Sequence, residues 1–466
     1  MPGEKTPAHP RGRVSTARQL GRVSPARACA LRVIRRVFEQ DAYADRAFTG
    51  EAAELEPRDR ALAMALSYGT VQRRATLDHV AAQLLDRRLD RLDPPVLAAL
   101  RLGLFELLFM GGSASHAAVN ESVELAKRAS RGGVGLVNAV LRRAVREGPG
   151  ILAGLDDQTP DAAATLHSVP GWLASQWWDE LGPEEARALL GVVNQPAESA
   201  LRVNTLVATV SEVTATLPVP ARQAPGIPEG LVLEGPFDVQ GSELWRGGAV
   251  QPQSRASMLV ARILGPQPGQ RVLDLCAAPG GKTTHLAALM GNRGEIVAVE
   301  RHPGRAAALE RTAARLRADI VRVEVGDAGQ VRPDGPFDRV LVDPPCSGLG
   351  TLQSRPDLRW RVGRAGPESI GELTTLQARI LAAGASAVAS GGVLVYSVCT
   401  ISRAEGPAVV EAFLRGHPDF EIEDAAGDRE TLRGAPTGPG IQLLPHLDGT
   451  DGFFIARLRR YPTSLP

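Results

Sequence analysis

The chain has 466 residues, of which 44% are hydrophobic, and its 53 Lys and Arg against 52 Asp and Glu give a formal net charge of +1. This composition is typical of a globular protein and excludes a wholly disordered, collagen-like or porin-like chain. The length predicts two to four domains. Because the charges nearly balance, a nucleic-acid partner must be argued from local charge and motifs.

The first 23 residues are predicted to form a basic tail. Residues 1–36 hold nine Lys and Arg but only one acidic residue, Glu4. This pattern fits a solvated tail that leads into a basic helix face, with an RNA-contacting arm as the alternative. No apolar h-region lies near the first residue, so the sequence does not read as a secretory signal. We expect a cytoplasmic protein.

Residues 24–147 are predicted to form an all-α bundle. Asp93-Pro94-Pro95 is typical of a helix start, and apolar residues recur at helical spacing after it. The same periodicity returns in 116–129 and 135–145. The Gly/Pro/Asp-rich segment 148–160 is then predicted to be a linker.

Residues 161–254 are predicted to form a small α+β module. Three of the five tryptophans, Trp172, Trp177 and Trp178, lie within one short helical segment. Packing of these rings in the core of the module is the favoured interpretation, and stacking on RNA bases is the alternative.

From 255 to 460, short β-branched runs alternate with Ala/Leu/Arg-rich helical segments. The alternation predicts a Rossmann-like α/β domain with a parallel, doubly wound sheet of seven strands. The uncharged stretch 380–402 is interpreted as a buried helix and strand rather than a membrane span, because Gly and Ser interrupt it. The predicted strand runs are RVLDLC (271–276), EIVAVE (295–300), IVRVEV (320–325), FDRVLVD (337–343), GVLVYSV (392–398) and FFIARL (453–458).

A turn of small residues follows the first of these strands and leads directly into a helix. Open α/β sheets bind ligands at this carboxyl edge, where backbone can approach the ligand closely. Glu300 ends the second strand 20 residues after Gly280, the usual offset for a carboxylate that binds ribose hydroxyls, and Asp327 after the third strand would face adenine. The turn lacks both the GxxxxGK[ST] and GxGxxG patterns, which favours a nucleoside without pyrophosphate, such as S-adenosylmethionine. Its residues are Cys276, Ala277, Ala278, Pro279, Gly280, Gly281 and Lys282.

Two further strand ends carry thiols. Asp343-Pro344-Pro345-Cys346 follows the fourth strand and Cys399 the fifth. Neighbouring strands lie about 4.8 Å apart, so two thiols and a carboxylate are expected to converge. A thiolate that adds to pyrimidine C6 turns C5 into a carbon able to accept a methyl group from a sulfonium. Asp343 would bond to cytosine N3, and Lys282 would hold these groups in place.

The segment after the fifth strand, Ser402-Arg403-Ala404-Glu405, has the spacing of a capping box. It predicts a helix that begins just after Cys399. The four cysteines (Cys29, Cys276, Cys346 and Cys399) are widely spaced and include no CxxC pair, so neither a disulfide framework nor a metal site is predicted.

In order, these motifs resemble those of RNA cytosine-5 methyltransferases. The resemblance implies that Cys399 is the nucleophile, that Cys346 acts in product release, and that S-adenosylmethionine contacts residues 276–282, Glu300, Asp327 and Asp343. The matching segments are LDLCAAPGGKTTHLA (273–287), VAVE (297–300), GDA (326–328), VDPPCSGLGTL (342–352) and SVCTISRAE (397–405).

The first half of the chain narrows the resemblance. HAAVNESVELAKRA (116–129) and GLVNAVLRRAV (135–145) look like the NusB-like domain of the Sun/RsmB type, bacterial enzymes that methylate a cytosine of 16S ribosomal RNA. LRVNTL (201–206) resembles their next domain, which is thought to help bind RNA.

The resemblance therefore implies a monomeric three-part enzyme that methylates cytosine C5 in 16S ribosomal RNA, with no membrane or metal partner. Transfer RNA is an alternative substrate, because the motifs define the base and not the RNA around it. A ribosome-assembly or transcription factor with an inactive methyltransferase fold is the alternative from another class. The two thiols and the series of acidic strand ends argue against it.

Overall fold

The computed structural model describes residues 23–111, 115–129, 133–330, 334–366, 368–424, 435–436 and 438–462. The chain divides into two compact units, with the boundary between Leu155 and Asp156. The predicted basic tail lies outside the described residues except for Val23.

The first unit is a bundle of helices, as the periodicity of 24–147 predicts. Ser24 caps the first helix, because its side chain accepts a hydrogen bond from the backbone N–H of Arg27. Ile34, Leu66 and Leu100 are fully buried in one apolar core. The elements are α1 (Pro25–Glu39), α2 (Ala44–Glu51), α3 (Pro57–Gln72), α4 (Arg74–Leu84), a 3-10 turn (Leu89–Arg91), α5 (Pro94–Phe109), α6 (Ser115–Ala129) and α7 (Val134–Ala153).

The linker prediction for 148–160 is wrong over its first six residues, because α7 continues through Pro149 to Ala153. Proline inside a helix removes one backbone hydrogen bond and normally ends the helix. Here Ile151 and Leu152 pack against the core of the bundle. Burial of these side chains favours the extra helical turn over the break that the Gly and Pro residues suggest.

The second unit begins with the predicted α+β module, whose four strands form an antiparallel sheet of order β2-β3-β1-β4. Trp177 is fully buried, as core packing predicts. The elements are α8 (Pro160–His167), α9 (Gly171–Leu181), α10 (Pro183–Val192), β1 (Ala200–Val203), α11 (Val210–Thr216), β2 (Ala221–Gln223), β3 (Gly230–Leu233), α12 (Glu243–Arg246) and β4 (Val250–Pro252).

The rest of the second unit is an α/β domain built on a nine-stranded sheet. Its longest path is β11-β12-β13-β9-β8-β5-β6-β7, and β10 pairs with β13. The elements are α13 (Arg255–Leu264), β5 (Arg271–Leu275), α14 (Gly281–Leu289), β6 (Glu295–Glu300), α15 (Pro303–Arg315), β7 (Val321–Val325), β8 (Phe337–Val342), α16 (Leu358–Ala365), α17 (Glu368–Ala387), β9 (Val388–Val398), α18 (Pro407–Gly416), β10 (Phe420–Glu423), β11 (Ala435–Pro436), β12 (Ile441–Leu443), α19 (Pro445–Asp448) and β13 (Phe453–Arg460).

Two features of the predicted sheet need correction. The parallel arrangement holds for β5 to β9, but β13 runs antiparallel to both β9 and β12. The connection 444–452 is too short for the crossover that a parallel pair of β12 and β13 would need. The sheet also has nine strands rather than seven: the six predicted runs form β5 to β9 and β13, and three further strands, β10, β11 and β12, are too short to show a period-2 pattern in the sequence.

The uncharged stretch 380–402 forms the end of α17 and all of β9, as predicted. Within the described ranges, no helix has both the length and the apolar character that crossing a membrane requires.

The motif LRVNTL joins the α+β module to the α/β domain through buried side chains of β1 and the residue after it. Arg202 Nη2 donates to Thr284 Oγ1 in α14 at 2.9 Å, and Asn204 Nδ2 donates to the carbonyl oxygen of Leu316 at 2.8 Å. Both Arg202 and Asn204 are buried. These two side chains therefore hold the module against the α/β domain instead of facing RNA.

Candidate active site

Five parallel strands, β5 to β9, bring the predicted site residues to one edge of the sheet. Leu275 at the end of β5 pairs with Val299 of β6 and with Val342 of β8, and Val342 in turn pairs with Tyr396 of β9. Because these strands end in register, the residues that follow them lie side by side, at the carboxyl edge where α/β sheets bind ligands.

The turn after β5 has a backbone that only small residues can follow. Gly280 has φ of 100°, and a Cβ atom at this position would lie 2.4 Å from Leu309 Cδ1. Cys276 also adopts a positive φ, 66°. The turn is tied to β6, since the N–H of Ala277 donates to Val299 O at 3.0 Å. It leads into α14 at Gly281, whose first N–H groups are available to a ligand at this edge.

Two carboxylates at the ends of β6 and β7 are held by arginines that sequence reasoning missed. Glu300 is almost fully buried, and its Oε2 lies 3.4 Å from Arg305 Nη2, which also donates to Ala278 O at 2.8 Å. Asp327 Oδ2 lies 3.3 Å from Arg379 Nη2. Arg305 thus links Glu300 to the turn after β5. The acidic strand end and the small-residue turn that were predicted to bind a nucleoside are therefore connected through one side chain.

Lys282 and Asp343 form an ion pair beside the thiols. Lys282 Nζ donates to Asp343 Oδ2 at 2.8 Å, and Ser397 Oγ donates to Asp343 Oδ1 at 2.8 Å. Burial lowers the pKa of Lys282, but the charge and hydrogen bond of Asp343 outweigh it and raise that pKa overall. The ammonium group also lies 5.2 Å from the centre of the Phe453 ring. Lys282 is therefore a fixed cation at the edge of the site.

The two thiols converge. Cys346 Sγ and Cys399 Sγ are 3.3 Å apart, and both side chains are half-buried. The hydrogen bond from Cys346 lowers the pKa of Cys399, assisted by the charges of Lys282 and Arg355 and opposed by burial. The same hydrogen bond and burial raise the pKa of Cys346 well above its usual range. The two shifts run in opposite directions, so Cys399 is the more acidic thiol of the pair.

Cys276 lies at the same edge but has the opposite character. Burial raises the pKa of its thiol to about 12, and the negative charges of Asp343 and Asp274 contribute. Burial also raises the pKa of Asp274 to about 7, although Asp274 Oδ2 accepts a hydrogen bond from Thr283 Oγ1 at 2.6 Å. Cys276 is a neutral thiol in the turn after β5.

The predicted capping box at 402–405 is wrong. The helix begins only at Pro407, and the residue before it, Gly406, gives no side-chain cap. Glu405 is fully buried and accepts hydrogen bonds from the backbone N–H and the hydroxyl of Ser347. The carboxylate turns into the protein because buried donors from the Cys346 turn are available there, whereas a capping role would leave it at the surface.

Three family models match the chain. The model of the 16S rRNA methyltransferase RsmB/F matches residues 261–459, that of the NusB family matches 24–146, and that of the RsmF/B-like ferredoxin-like domain matches 169–240. The ribosomal RNA small subunit methyltransferase B of Thermus thermophilus is 38% identical over 407 residues, which cover 86% of this chain and 89% of that protein. The protein of the same name from Pseudomonas putida is 32% identical over 447 residues, 94% of this chain and 99% of that protein.

The chain belongs to the ribosomal RNA small subunit methyltransferase B family. It is an S-adenosylmethionine-dependent methyltransferase of small-subunit ribosomal RNA, with a NusB domain and a ferredoxin-like module before the Rossmann-like domain. The crystal structure of PH0851 has the same architecture, with a TM-score of 0.79, 28% sequence identity, and coverage of 94% of this chain and 99% of that one.

In this member of the methyltransferase B family, sequence motifs predicted site residues that the structure brings to one edge of the sheet, but they did not predict the residues that contact them. Ser397, Phe453 and Glu405 contact Asp343, Lys282 and the Cys346 turn respectively. Ser397 and Phe453 lie in a predicted motif and a predicted strand, but neither segment indicates these contacts, and the spacing of Glu405 indicates a helix cap instead. Across the ranges that the structure describes, no group of three or more His, Cys, Asp or Glu side chains is arranged to hold a metal ion.

Proposed function

We propose that this methyltransferase acts on C5 of a cytosine in 16S ribosomal RNA through a covalent bond between Cys399 Sγ and cytosine C6. The observation that carries the proposal is the thiol pair, 3.3 Å apart, beside the Lys282 and Asp343 ion pair. A methyltransferase acting on an amine or hydroxyl needs no thiol nucleophile, whereas pyrimidine C5 reacts only after a nucleophile has added to C6.

The residues at the carboxyl edge fit S-adenosylmethionine. Glu300 and Asp327 offer carboxylate oxygens to ribose hydroxyls and to the adenine edge, and Gly280 lets the turn between β5 and α14 pack tightly against Leu309. We therefore propose that residues 276–282 with Glu300, Asp327 and Asp343 hold the cofactor. When bound, it supplies an electrophilic methyl group on a sulfonium.

Addition depends on Cys399 and the ion pair. The Cys399 thiolate, stabilised by the hydrogen bond from Cys346, forms the S–C6 bond. Asp343, which accepts a hydrogen bond from the Lys282 ammonium, relays a proton from Lys282 to cytosine N3 as the S–C6 bond forms; the proton neutralises the charge that addition moves into the ring and returns when the S–C6 bond breaks. Addition leaves C5 with the electron density needed to take the methyl group.

Release then depends on Cys346. Once Cys399 is bonded to carbon, the hydrogen bond that contributes most to the raised pKa of Cys346 is gone, and the partly exposed Cys346 thiol passes its proton to solvent. The Cys346 thiolate takes the C5 proton, the electron pair of the C–H bond reforms the C5–C6 double bond, and the S–C6 bond breaks. This step restores Cys399 and leaves the methylated base.

The direct test is methyl transfer with the full chain, tritiated S-adenosylmethionine and separate 16S ribosomal and transfer RNA, followed by bisulfite sequencing. We expect label in 16S RNA at one protected cytosine. Label in transfer RNA alone would overturn the substrate class, and label at an unprotected position would overturn the C5 assignment. A strain that loses no fitness when Cys399→Ala replaces the wild type would support the assembly-factor alternative.

The covalent step has its own test. A Cys346→Ala variant is expected to accumulate a protein–RNA adduct on a denaturing gel, because addition proceeds and release does not. A Cys399→Ala variant is expected to form none. An adduct in the second variant rather than the first would reverse the two roles.

A further inference from the structure

The carboxylate of Glu405 lies between two turns, one that carries Cys346 and one that carries Cys399, which are called the cysteine turns below. It has no role in the proposed chemistry. Its side chain is fully buried. The backbone N–H of Ser347 donates to Oε1 at 2.8 Å and Ser347 Oγ to Oε2 at 2.5 Å. Gln377 Nε2 donates to Oε1 at 3.1 Å, and Thr400 Oγ1 lies 3.2 Å from Oε2. All four donors are neutral groups, so the carboxylate is stabilised by hydrogen bonds and not by a cation in contact with these oxygens.

These contacts fix the Cys346 turn on both sides of the thiol. Ser347 follows Cys346 directly and bonds to Glu405 through both its backbone and its hydroxyl. Gln377, which is fully buried in α17, also donates to the carbonyl oxygen of Pro345 at 3.0 Å. The residues before and after Cys346 are therefore tied to one buried network.

The same network reaches the Cys399 turn. Thr400 follows Cys399 directly, and its hydroxyl lies 3.2 Å from Glu405 Oε2 and 2.9 Å from Ser347 Oγ. One carboxylate thus contacts the residue that follows each cysteine. The carbonyl oxygen of Cys399 is held separately by the N–H of Gly350 at 3.1 Å, so that backbone contact survives the loss of Glu405.

We propose that Glu405 is a positioning residue that sets the separation of the two thiols and thereby makes release by Cys346 possible. This inference rests on the proposed covalent mechanism. A buried carboxylate supported by neutral donors is retained at a cost in stability, and here the four bonds link the two turns that must meet. A wider separation of the thiols slows addition without blocking it, because the ion pair and the contact between Cys399 and Gly350 do not involve Glu405, whereas release needs Cys346 close to the base.

A glutamine at position 405 tests this role with almost no change in volume. Its amide nitrogen would face either the N–H groups of Ser347 and Gln377 or the hydroxyls of Ser347 and Thr400, so at least one bond donated to the carboxylate is lost. We expect kcat to fall about 10- to 100-fold, from the loss of one or two buried hydrogen bonds to a charged group. KM for S-adenosylmethionine should change less than about twofold, because Glu405 contacts no residue of the proposed cofactor site.

The distinctive readout is the adduct. Glu405→Gln should accumulate the covalent protein–RNA species on a denaturing gel with unmodified 16S transcript, as Cys346→Ala does. Ser347→Ala removes one of the hydroxyl contacts and should give a smaller effect in the same direction. The double variant should have a kcat no lower than that of Glu405→Gln alone, because both substitutions break the same contact between Glu405 and Ser347.

Glu423→Gln is the matched control. Glu423 lies in β10 of the same domain, where it pairs with Arg457 at 2.7 Å and with Arg459. The substitution removes one acidic group far from the thiols in sequence. Neither ion pair of Glu423 involves a residue of the cysteine turns. We expect wild-type kcat and no adduct. Thermal unfolding of each variant shows whether the fold is intact.

The outcomes separate the two proposals. If Cys346→Ala forms no adduct, the covalent mechanism fails, whatever Glu405→Gln does. If Cys346→Ala forms the adduct but a folded Glu405→Gln turns over normally, or loses activity without adduct, the positioning role of Glu405 is overturned. If Glu405→Gln does not fold, a folded Ser347→Ala decides: adduct with reduced kcat supports the role, and wild-type turnover overturns it.

Discussion

Cys276 and Cys399 lie at the same edge of the sheet, but their surroundings shift their thiol pKa values in opposite directions. This edge can therefore be described as two halves. The cofactor half comprises the ends of β5, β6 and β7, and the cysteine half comprises the ends of β8 and β9. In the cofactor half, burial and neighbouring carboxylates raise the pKa of Cys276 to about 12. In the cysteine half, a donated hydrogen bond lowers the pKa of Cys399. Position at a strand end does not make a cysteine a nucleophile; the groups around the sulfur do.

The largest expected difference between the halves comes from alanine at each cysteine. Cys399→Ala should lower methyl transfer by about 1,000-fold or more, because it removes the atom that bonds to the base. Cys276→Ala should retain activity within about threefold, since it loses a half-buried thiol with no covalent role. Initial rates with tritiated S-adenosylmethionine and 16S transcript measure both. Equal losses of activity in the two variants would show that the difference in thiol pKa between Cys276 and Cys399 does not determine which cysteine methyl transfer needs.

Lys282→Met sharpens the comparison by changing the charge next to Cys399. The cation lowers the pKa of that thiol, so its removal should raise the pKa and reduce the thiolate fraction at neutral pH. Alkylation by iodoacetamide at pH 7 should therefore be slower than in the wild type, with the rate recovering as pH increases. Peptide mass spectrometry can follow Cys399 separately from the other cysteines.

The control for this charge change is Lys127→Met, since Lys127 is an exposed side chain of α6 that pairs with Glu124 at 3.6 Å. Its pH profile of alkylation should match the wild type. An unchanged profile in Lys282→Met would mean that the Cys346 hydrogen bond and the charge of Arg355 lower the pKa of Cys399 without help from Lys282.

Local sequence patterns were sufficient for the cofactor half and insufficient for the cysteine half. The strand runs, the small-residue turn and the spacing of Glu300 from Gly280 all depend on neighbours in sequence, and the strands and the turn formed as predicted. Ser402 and Glu405 also matched a local pattern, the capping box, but the carboxylate binds Ser347 instead. Ser347, which binds Glu405, lies 58 positions away in the sequence. A pattern that spans only four residues therefore cannot show whether Glu405 caps a helix or binds Ser347.

The same limit explains the other differences. The helix α7 passes Pro149 because tertiary packing favours it, and the edge strands are too short to show periodicity. Arg305 and Arg379 gave no signal at all, because arginine is common in this chain and their carboxylate partners lie on other elements.

Gly280→Ala tests whether the geometry of the cofactor half depends on its backbone. The new Cβ would meet Leu309 at 2.4 Å in a backbone conformation with φ of 100°. Strain of about 1 to 3 kcal/mol should weaken S-adenosylmethionine binding by roughly 10-fold, measured by titration calorimetry. Gly371→Ala is the control, because this glycine of α17 has no atom within 4 Å of an added Cβ. Equal affinities in the two variants would contradict a tight turn at the cofactor.

The smallest expected effect comes from Arg305→Leu, which separates support of the cofactor half from direct contact with the ligand. Arg305 joins Glu300 to Ala278, but its side chain is 46% exposed, so solvent screens the ion pair. Such pairs contribute about 0 to 1 kcal/mol, which corresponds to no more than about fivefold in the Kd for S-adenosylmethionine. The difference from the wild type should shrink further in high salt. A loss of affinity above about 30-fold that persists in high salt would mean that the guanidinium binds the cofactor itself, because a solvent-screened surface ion pair contributes too little free energy to explain such a loss.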